Sequence, residues 1–222
     1  MPQPVSKITV LGAAGRTGRH VLALAARRGM PVTVLTRRPH LLASREGLDR
    51  VITGDGTDPA AVRDAVTGAG TVVAIIGASS PRGPHQIAAV TRVLIPAMTG
   101  AGVSRLVITS AYPVVAVKPR LVIGLLRFML ADAYADAADM EQIVSGQAGL
   151  AWTIARLSRL TDGPARGGTR ISRELLTRPS AITRADAAAA LLDIAADASL
   201  AAAAVNVAGP APRSRVRTGE PA

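Results

Sequence analysis

Short runs of β-branched and other apolar residues alternate along the chain with longer stretches rich in Ala and Leu. Such alternation is typical of βαβ units and of a parallel sheet. The apolar runs are nearly continuous and do not alternate with polar positions, so we expect helices to cover both faces of the sheet. The predicted strands are Ile8–Leu11, Val32–Leu35, Arg50–Thr53, Val72–Ile76, Leu106–Thr109, Trp152–Ala155 and Ala204–Val207.

The stretches between these strands carry the signals of helix starts and ends. One helix has Val21 and Leu24 on a single stripe and ends at Gly29, and another follows Asp58, a favourable N-cap residue before a proline. The predicted helices are Thr17–Arg28, Pro59–Val66, Ile87–Thr99, a long one from about Val122 to Val144, and Arg184–Ala196. Together, the elements predict a single α/β domain over residues 1–208, with a Rossmann-type, doubly wound parallel sheet.

The composition is that of a globular protein, because 49% of the 222 residues are hydrophobic. The chain has no cysteine, which excludes disulfides, thiolate metal sites and cysteine nucleophiles. No apolar run approaches the ~20 residues that cross a bilayer, and the first residues lack the apolar core of a signal peptide. We therefore expect a cytoplasmic protein without a transmembrane segment, and a disordered basic tail over residues 209–222.

The net charge of +11 favours anionic partners. The arginines occur in small, scattered groups, without a zinc finger or a basic and aromatic platform that would bind nucleic acid. We therefore expect no nucleic-acid partner, and phosphates on a cofactor account for part of the charge. The three histidines are too scattered to form a metal site.

A glycine loop, Gly12-Ala13-Ala14-Gly15-Arg16-Thr17-Gly18, separates the first predicted strand from the first predicted helix. In dinucleotide sites the first glycine permits the tight turn, the second lets the backbone approach the pyrophosphate, and the third allows close packing of helix and strand. The free N–H groups at the helix start then face the phosphates. An ordinary strand-to-helix turn also contains glycine, but the flanking strand and helix favour a dinucleotide site.

The end of the second strand bears on the choice between NAD and NADP. Sites for NAD usually have Asp or Glu there, which accepts hydrogen bonds from the ribose hydroxyls. Here the strand ends in Thr36-Arg37-Arg38, and guanidinium groups form paired, charge-assisted hydrogen bonds with phosphate oxygens. Arg16 can add a third positive charge. We therefore expect NADP(H), the alternative being that Arg37 and Arg38 are solvated loop charges.

Together with Gly54-Asp55 and Thr109-Ser110-Ala111, which follow the third and fifth strands, these residues resemble the atypical short-chain dehydrogenases/reductases of the NAD(P)H-binding, NmrA-like group. Within that group the chain is similar to the flavin reductase/biliverdin-IX-beta reductase branch. The resemblance assigns the pyrophosphate to Gly12, Arg16, Thr17 and Gly18, the 2′-phosphate to Arg37 and Arg38, the adenine to Asp55, the ribose to Ile76 and Gly77, and the nicotinamide to Ser110.

The chain departs from the pattern of short-chain dehydrogenases at two places. These enzymes carry Tyr-x-x-x-Lys, in which the lysine lowers the pKa of the tyrosine that protonates a carbonyl oxygen. Here Ala116 stands four residues after Tyr112, and Ala138 four residues after Tyr134, so the pair is absent. Relatives often have Arg-Pro-Gly after the sixth strand, where this chain has Arg156-Leu157-Ser158.

Ser110 and Tyr112 are the candidate catalytic residues. Ser110 has no evident partner base, so we expect a hydrogen-bond donor or a polar strand cap and not a nucleophile. His85, in the loop after the fourth strand, is either a general acid or a solvated side chain. Residues 112–147 hold three of the four aromatic side chains and predict a cover over an apolar substrate pocket; the alternative is a helix packed on the core or on a partner in a homodimer.

We expect an NADPH-dependent reductase that transfers hydride to a flat, conjugated acceptor such as a flavin, a quinone or a tetrapyrrole. A simple ketone needs a positioned acid to protonate the developing alkoxide, and the usual acid pair is missing. A conjugated acceptor spreads the charge and can take its proton from water. Two alternatives use the same glycine loop: a non-catalytic NADP(H) redox sensor of the NmrA-like type, and an isomerase or cyclase built on this fold.

Overall fold

The computed structural model describes residues 7–42, 47–77, 86–114, 130–177 and 179–211. The strands are β1 Ile8–Leu11, β2 Val32–Thr36, β3 Leu48–Thr53, β4 Thr71–Ala74, β5 Arg105–Ala111, β6 Ala151–Leu157, β7 Leu160–Thr161, β8 Arg170–Ser172, β9 Ile182–Thr183 and β10 Ala203–Ala208. The helices are α1 Arg16–Arg27, α2 Pro59–Val66, α3 Ile87–Gly100, α4 Ala131–Ser145 and α5 Arg184–Ala196, and 3₁₀ turns cover Pro39–Leu41, Tyr112–Val114 and Ala198–Leu200.

Eight of these strands form one sheet in the order β3-β2-β1-β4-β5-β6-β10-β8. All neighbours from β3 to β10 run parallel, and only the edge strand β8 runs antiparallel to its neighbour β10. The order contains the Rossmann sequence 3-2-1-4-5-6, extended at one end by β10 and β8. The predicted α/β fold with a doubly wound sheet is therefore confirmed.

Helices cover both faces of the sheet, which explains why its central strands are apolar at almost every position. The side chains of α1 and α5 pack on one face, against Val10 and Val107 among others. The side chains of α2, α3 and α4 pack on the other face, against Leu106 and Ile108. Consecutive side chains of a strand point to opposite faces of the sheet. In a strand between two helix layers, the side chains on both faces are therefore buried.

Three predicted elements agree with the structure at both ends: Ile8–Leu11, Pro59–Val66 and Arg184–Ala196. Strand β4 ends at Ala74 and not at the predicted Ile76, so Ile76 and Gly77 lie in the loop that follows it. The long helix predicted from about Val122 appears as Ala131–Ser145, and the residues before 130 lie outside the described ranges. In the described ranges, no helix has the length and hydropathy needed to cross a membrane.

Candidate functional site at the carboxyl edge of the sheet

The predicted cofactor residues all follow the carboxyl ends of neighbouring parallel strands and therefore share one edge of the sheet. The chain winds from β1 to β3 in one direction and from β4 onward in the other, which makes the gap between β1 and β4 the topological switch point. The site residues are Gly12–Gly18 after β1, Arg37 and Arg38 after β2, Asp55 after β3, Ile76 and Gly77 after β4, and Ser110 near the end of β5.

The three glycines of the loop meet different surroundings. Gly12 has φ of +82°, and a Cβ there would lie 2.0 Å from the carbonyl oxygen of Ile75. A Cβ on Gly18 would lie 2.3 Å from the carbonyl oxygen of Gly12. A Cβ on Gly15 would meet only that same oxygen, at 3.1 Å. The protein's own backbone therefore requires glycine at 12 and 18, whereas a side chain at 15 would need the carbonyl of Gly12 to shift by only a few tenths of an ångström.

Helix α1 begins within this loop, at Arg16, without a side-chain cap. Its N-cap residue is Gly15, which cannot supply a capping oxygen, and no acidic residue lies in the first turn. The first N–H groups of a helix have no partner within the helix. The start of α1 thus offers unpaired donors and the positive end of the helix dipole at the switch point, which suits a phosphate group.

Three other helices that begin at this edge have acceptors for these donors within the chain. Asp58 caps α2, and the hydroxyl of Thr183 caps α5. The start of α3 is capped from a distance, because the carboxylate of Asp136 on α4 accepts the N–H groups of Ile87 at 2.8 Å and of Ala88 at 3.0 Å. Helix α4 also begins without a side-chain cap, but its first turn contains Asp132. Among the described helices, α1 alone therefore has neither a side-chain acceptor nor an acidic residue at its start.

Arg37 and Arg38 lie at the end of β2, and both are exposed. Arg37 forms an ion pair of 3.3 Å with Asp55, which follows β3. Hydrogen bonds from the backbone N–H of Thr57 and from its hydroxyl, together with the charge of Arg37, hold the pKa of Asp55 below its usual value. Within the described ranges no carboxylate pairs with Arg38. The two guanidinium groups therefore differ, since Arg37 is paired with an acid and Arg38 has no ion pair with the described residues.

Arg16 connects the glycine loop to the segment after β7. One of its guanidinium nitrogens lies 3.7 Å from Asp162, which also forms a 2.7 Å ion pair with Arg184 at the start of α5. The side chain of Arg16 is 67% exposed, so its own contact is weak and leaves it able to turn toward a ligand. Thr17 beside it is buried.

Ile76 and Gly77 lie across the switch point from the glycine loop. Ile76 is half-buried, and Gly77 is exposed, with no atom of the described residues within 4 Å of the position a Cβ would take. The loop after β4 therefore presents an apolar side chain and a bare stretch of backbone at the edge where a ribose is expected. Its next residues, 78–85, lie outside the described ranges and include His85.

Ser110 does have a partner, which sequence reasoning missed. Its hydroxyl donates a 2.6 Å hydrogen bond to Glu141 of α4, and Glu141 forms a salt bridge with Arg156 of β6. Ser110 and Glu141 are both buried. The only sequence signal was that Arg156 stands where relatives have an arginine, and nothing in the chain pointed from it to Glu141.

Tyr112 is buried at the end of β5, where it opens the 3₁₀ turn. Its hydroxyl donates a hydrogen bond to the carbonyl oxygen of Leu176, and its ring packs against that residue. Burial raises the pKa of Tyr112 above its usual value, so the phenol keeps its proton. The side chain thus connects the end of β5 to the segment after β8.

Residues 115–129 of the predicted cover and 212–222 of the predicted tail lie outside the described ranges.

Comparison with known proteins identifies the family and the fold. A family described as NAD(P)H-binding matches residues 12–198, from the glycine loop to beyond α5. The fold is similar to that of a short-chain dehydrogenase/reductase from Veillonella parvula in complex with NADP, with a TM-score of 0.78 and 20% identity over 92% of this chain and 95% of that one. It is also similar to an anaerobillin reductase from Escherichia coli O157:H7, with a TM-score of 0.75 and 22% identity over 94% and 100% of the two chains.

Proposed function

Because the chain belongs to the NAD(P)H-binding family, we propose that it is an NADPH-dependent reductase that transfers hydride to a conjugated small-molecule acceptor. The acceptor classes are a flavin, a quinone or a tetrapyrrole-like compound. The family membership confirms the resemblance predicted from the sequence. The observation that carries the proposal is the start of α1 at Gly15, which has neither a side-chain cap nor an acidic residue and lies at the switch point of the sheet.

The choice of NADPH over NADH rests on the charges at the end of β2. Two arginines stand there in place of the acid that binds the ribose in NAD sites. The ion pair with Asp55 holds Arg37 at this edge, and Arg38 remains available for a 2′-phosphate. A guanidinium keeps its charge at any working pH and forms paired hydrogen bonds to phosphate oxygens. Arg16 would contribute a further positive charge to the diphosphate.

The reduced nicotinamide supplies a hydride when it is bound, and the acceptor must also obtain a proton. The hydroxyls of the two candidate catalytic residues do not offer one, because Ser110 donates to Glu141 and Tyr112 donates to Leu176. The raised pKa of Tyr112 makes proton release harder still. A conjugated acceptor, which delocalises the negative charge and can take its proton from water, fits such a site better than a simple ketone.

The solved structures that share the fold agree with this class of reaction. One of them is in complex with NADP, and another is an anaerobillin reductase, which favours the tetrapyrrole-like option among the three acceptor classes. The chain covers nearly the whole length of both.

The cofactor preference is tested by calorimetry with NADPH and NADH. Replacing both Arg37 and Arg38 by Ala should weaken NADPH binding by roughly 10- to 150-fold and change NADH binding far less, because each phosphate contact is charge-assisted. The matched control replaces Arg27 and Arg28 by Ala, which removes the same charge at the opposite end of α1. Equal affinities of the unmutated protein for the two cofactors would show that the preference is wrong.

A non-catalytic NADP(H) redox sensor is the second candidate. The observation that favours it is that the hydroxyls of Ser110 and Tyr112 both donate their protons to acceptors within the protein. Oxidation of NADPH, followed at saturating cofactor across a panel of flavins, quinones, tetrapyrroles and small carbonyls, separates the two functions. Turnover of a conjugated acceptor supports the reductase. Tight NADPH binding without turnover of any acceptor supports the sensor.

A further inference from the structure

Three polar side chains form a buried cluster at the carboxyl ends of β5 and β6. Ser110 and Arg156 are direct neighbours across the two strands, so their side chains lie on the same face of the sheet. Glu141 of α4, the helix packed on that face, contacts both of them. Ser110 is 8% exposed and Glu141 is 9% exposed. Ser110 and Glu141 are therefore largely shielded from water, whereas the side chain of Arg156 is 19% exposed.

The direction of each hydrogen bond in this cluster follows from its members. Arg156 can only donate, and it does so from Nε at 3.1 Å to Oε1 and from Nη2 at 2.6 Å to Oε2 of Glu141. Both carboxylate oxygens thus accept from a cation, and a carboxylate has no proton of its own to give. The 2.6 Å bond between Ser110 and Oε1 is therefore donated by Ser110.

This direction decides what Ser110 can do for a ligand. A serine hydroxyl has one proton and two lone pairs. Its proton is used by Glu141, so the oxygen has only lone pairs left for a further partner. The expectation from the sequence was a hydrogen-bond donor, and the geometry reverses that role. Ser110 is suited to accept a hydrogen bond from an N–H group and unsuited to donate one to a carbonyl oxygen.

We propose that Glu141 is a positioning residue that makes Ser110 a hydrogen-bond acceptor, through which the site recognises an N–H group on a planar ligand. The inference rests on the proposed function, because it assumes that the ring systems meet at the end of β5. Two ligands can supply the N–H group, namely the carboxamide of the nicotinamide and a ring N–H of the acceptor. Flavins and tetrapyrroles carry such ring donors, whereas quinones carry only carbonyl oxygens.

The substitution Glu141→Gln tests the direction of the bond at nearly constant shape. Arg156 only donates, so it should hold the amide oxygen of the new side chain and turn the amide NH₂ toward Ser110. Ser110 would then accept from residue 141, and its own proton would be free to donate toward a ligand. The ratio of the affinities for ligands with and without the N–H group should fall to about one or become inverted. Ser110→Ala removes the hydroxyl altogether and serves as the second variant.

Two pairs of probes distinguish the two sources of the N–H group. Lumiflavin and 3-methyllumiflavin differ in the ring N–H, and NADP⁺ and its 3-acetylpyridine analogue differ in the carboxamide. We expect the unmutated protein to bind the N–H member of at least one pair about 2- to 13-fold more tightly, the worth of one hydrogen bond. In Glu141→Gln and in Ser110→Ala that ratio should be close to one or inverted.

Calorimetry gives these ratios within each protein, so a smaller folded fraction in a variant does not alter them. Circular dichroism confirms folding, and Ser110→Ala keeps the test intact if Glu141→Gln does not fold. A ratio of one in both pairs for the unmutated protein overturns the inference, as does a ratio that survives in either variant. If the unmutated protein shows the expected ratio and both variants lose it, but no acceptor is turned over, the reductase is overturned and the role of Ser110 is supported. Failure to bind both NADP⁺ and lumiflavin overturns both.

Discussion

At the scale of single residues, Gly15 differs from Gly12 and Gly18 in what surrounds it. A side chain at 12 or 18 would collide with the protein's own backbone, at 2.0 Å and 2.3 Å. Gly15 has φ of −74° and ψ of 168°, which any residue adopts, and a Cβ there meets one carbonyl oxygen at 3.1 Å. Position 15 is therefore the place where an effect on the ligand can be separated from an effect on the fold.

We expect Gly15→Val to abolish NADPH binding and to leave the chain folded, because the branched side chain would occupy the space where backbone meets pyrophosphate. Calorimetry measures the binding, and circular dichroism measures the fold. Gly100→Val is the control, since nothing lies within 4 Å of a Cβ at that end of α3. Undiminished binding by Gly15→Val would mean that the loop does not hold the pyrophosphate.

Tyr112 was a candidate catalytic residue, and its surroundings favour a structural contribution. We expect Tyr112→Phe to keep most of the reductase activity and to lose about 0.5–1.5 kcal/mol of unfolding free energy, the net worth of its hydrogen bond to Leu176. Activity at saturating NADPH and urea unfolding measure the two effects. A rate loss of ~10²–10⁴-fold would instead identify Tyr112 as an essential general acid.

At the scale of elements, α4 contributes to the site by capping the N-terminus of its neighbour α3. Asp136 supplies the acceptors that α3 lacks locally, because the N-cap residue of α3, Gln86, makes no capping hydrogen bond through its side chain. With α3 capped from within, α1 is the described helix start that has neither a side-chain cap nor an acidic residue in its first turn. The packing of two helices thus helps to determine where an anion can bind.

Removing this cap should cost stability and leave cofactor affinity unchanged. We expect Asp136→Ala to lower the unfolding free energy by about 0.5–2 kcal/mol, since two N–H groups lose their acceptor. Asp139→Ala on the same helix is the matched control, because its ion pair with Arg92 is exposed and worth little. Urea unfolding and calorimetry with NADPH measure both properties. A large loss of NADPH affinity in Asp136→Ala would place α3 in the phosphate site.

At the scale of the whole molecule, one sheet joins both helix layers and also carries the site. The two layers pack on opposite faces of the same strands. Unfolding of either helix layer would therefore expose the apolar residues on one face of the sheet. A ligand at the switch point contacts the loops of strands that lie at the centre of this sheet. Binding should therefore stabilise the described domain as one unit.

We expect thermal unfolding in a single transition and an NADPH-dependent rise in Tm. At a concentration of about 100 times Kd, the ligand adds about 2.7 kcal/mol, which raises Tm by roughly 5–10 °C for a chain of this length. NADH at the same concentration should raise it less, and the variant without Arg37 and Arg38 should respond to both cofactors alike. Differential scanning calorimetry measures these shifts. Two separate transitions would contradict the single domain.

The sequence by itself determined the order of strands and helices, the glycine loop and the arginines at the end of β2. These are local features, because strand and helix periods, turn residues and short motifs act over a few neighbouring positions. Parallel connections then bring the carboxyl ends of the strands to one edge, so the position of the site also followed from the sequence. The short strands β7, β8 and β9 were missed, since two or three residues carry no periodic signal.

The tertiary structure alone decided which side chains meet. Ser110 and Glu141 are 31 positions apart, Asp136 and Ile87 are 49 apart, and the hydroxyl of Tyr112 reaches 64 positions along the chain. Each pairing depends on how α4 and the segment after β8 pack on the sheet, and such packing reflects the shapes of many residues at once. The sequence therefore indicated a candidate dinucleotide site, and the fold determined that the proton of Ser110 points to Glu141.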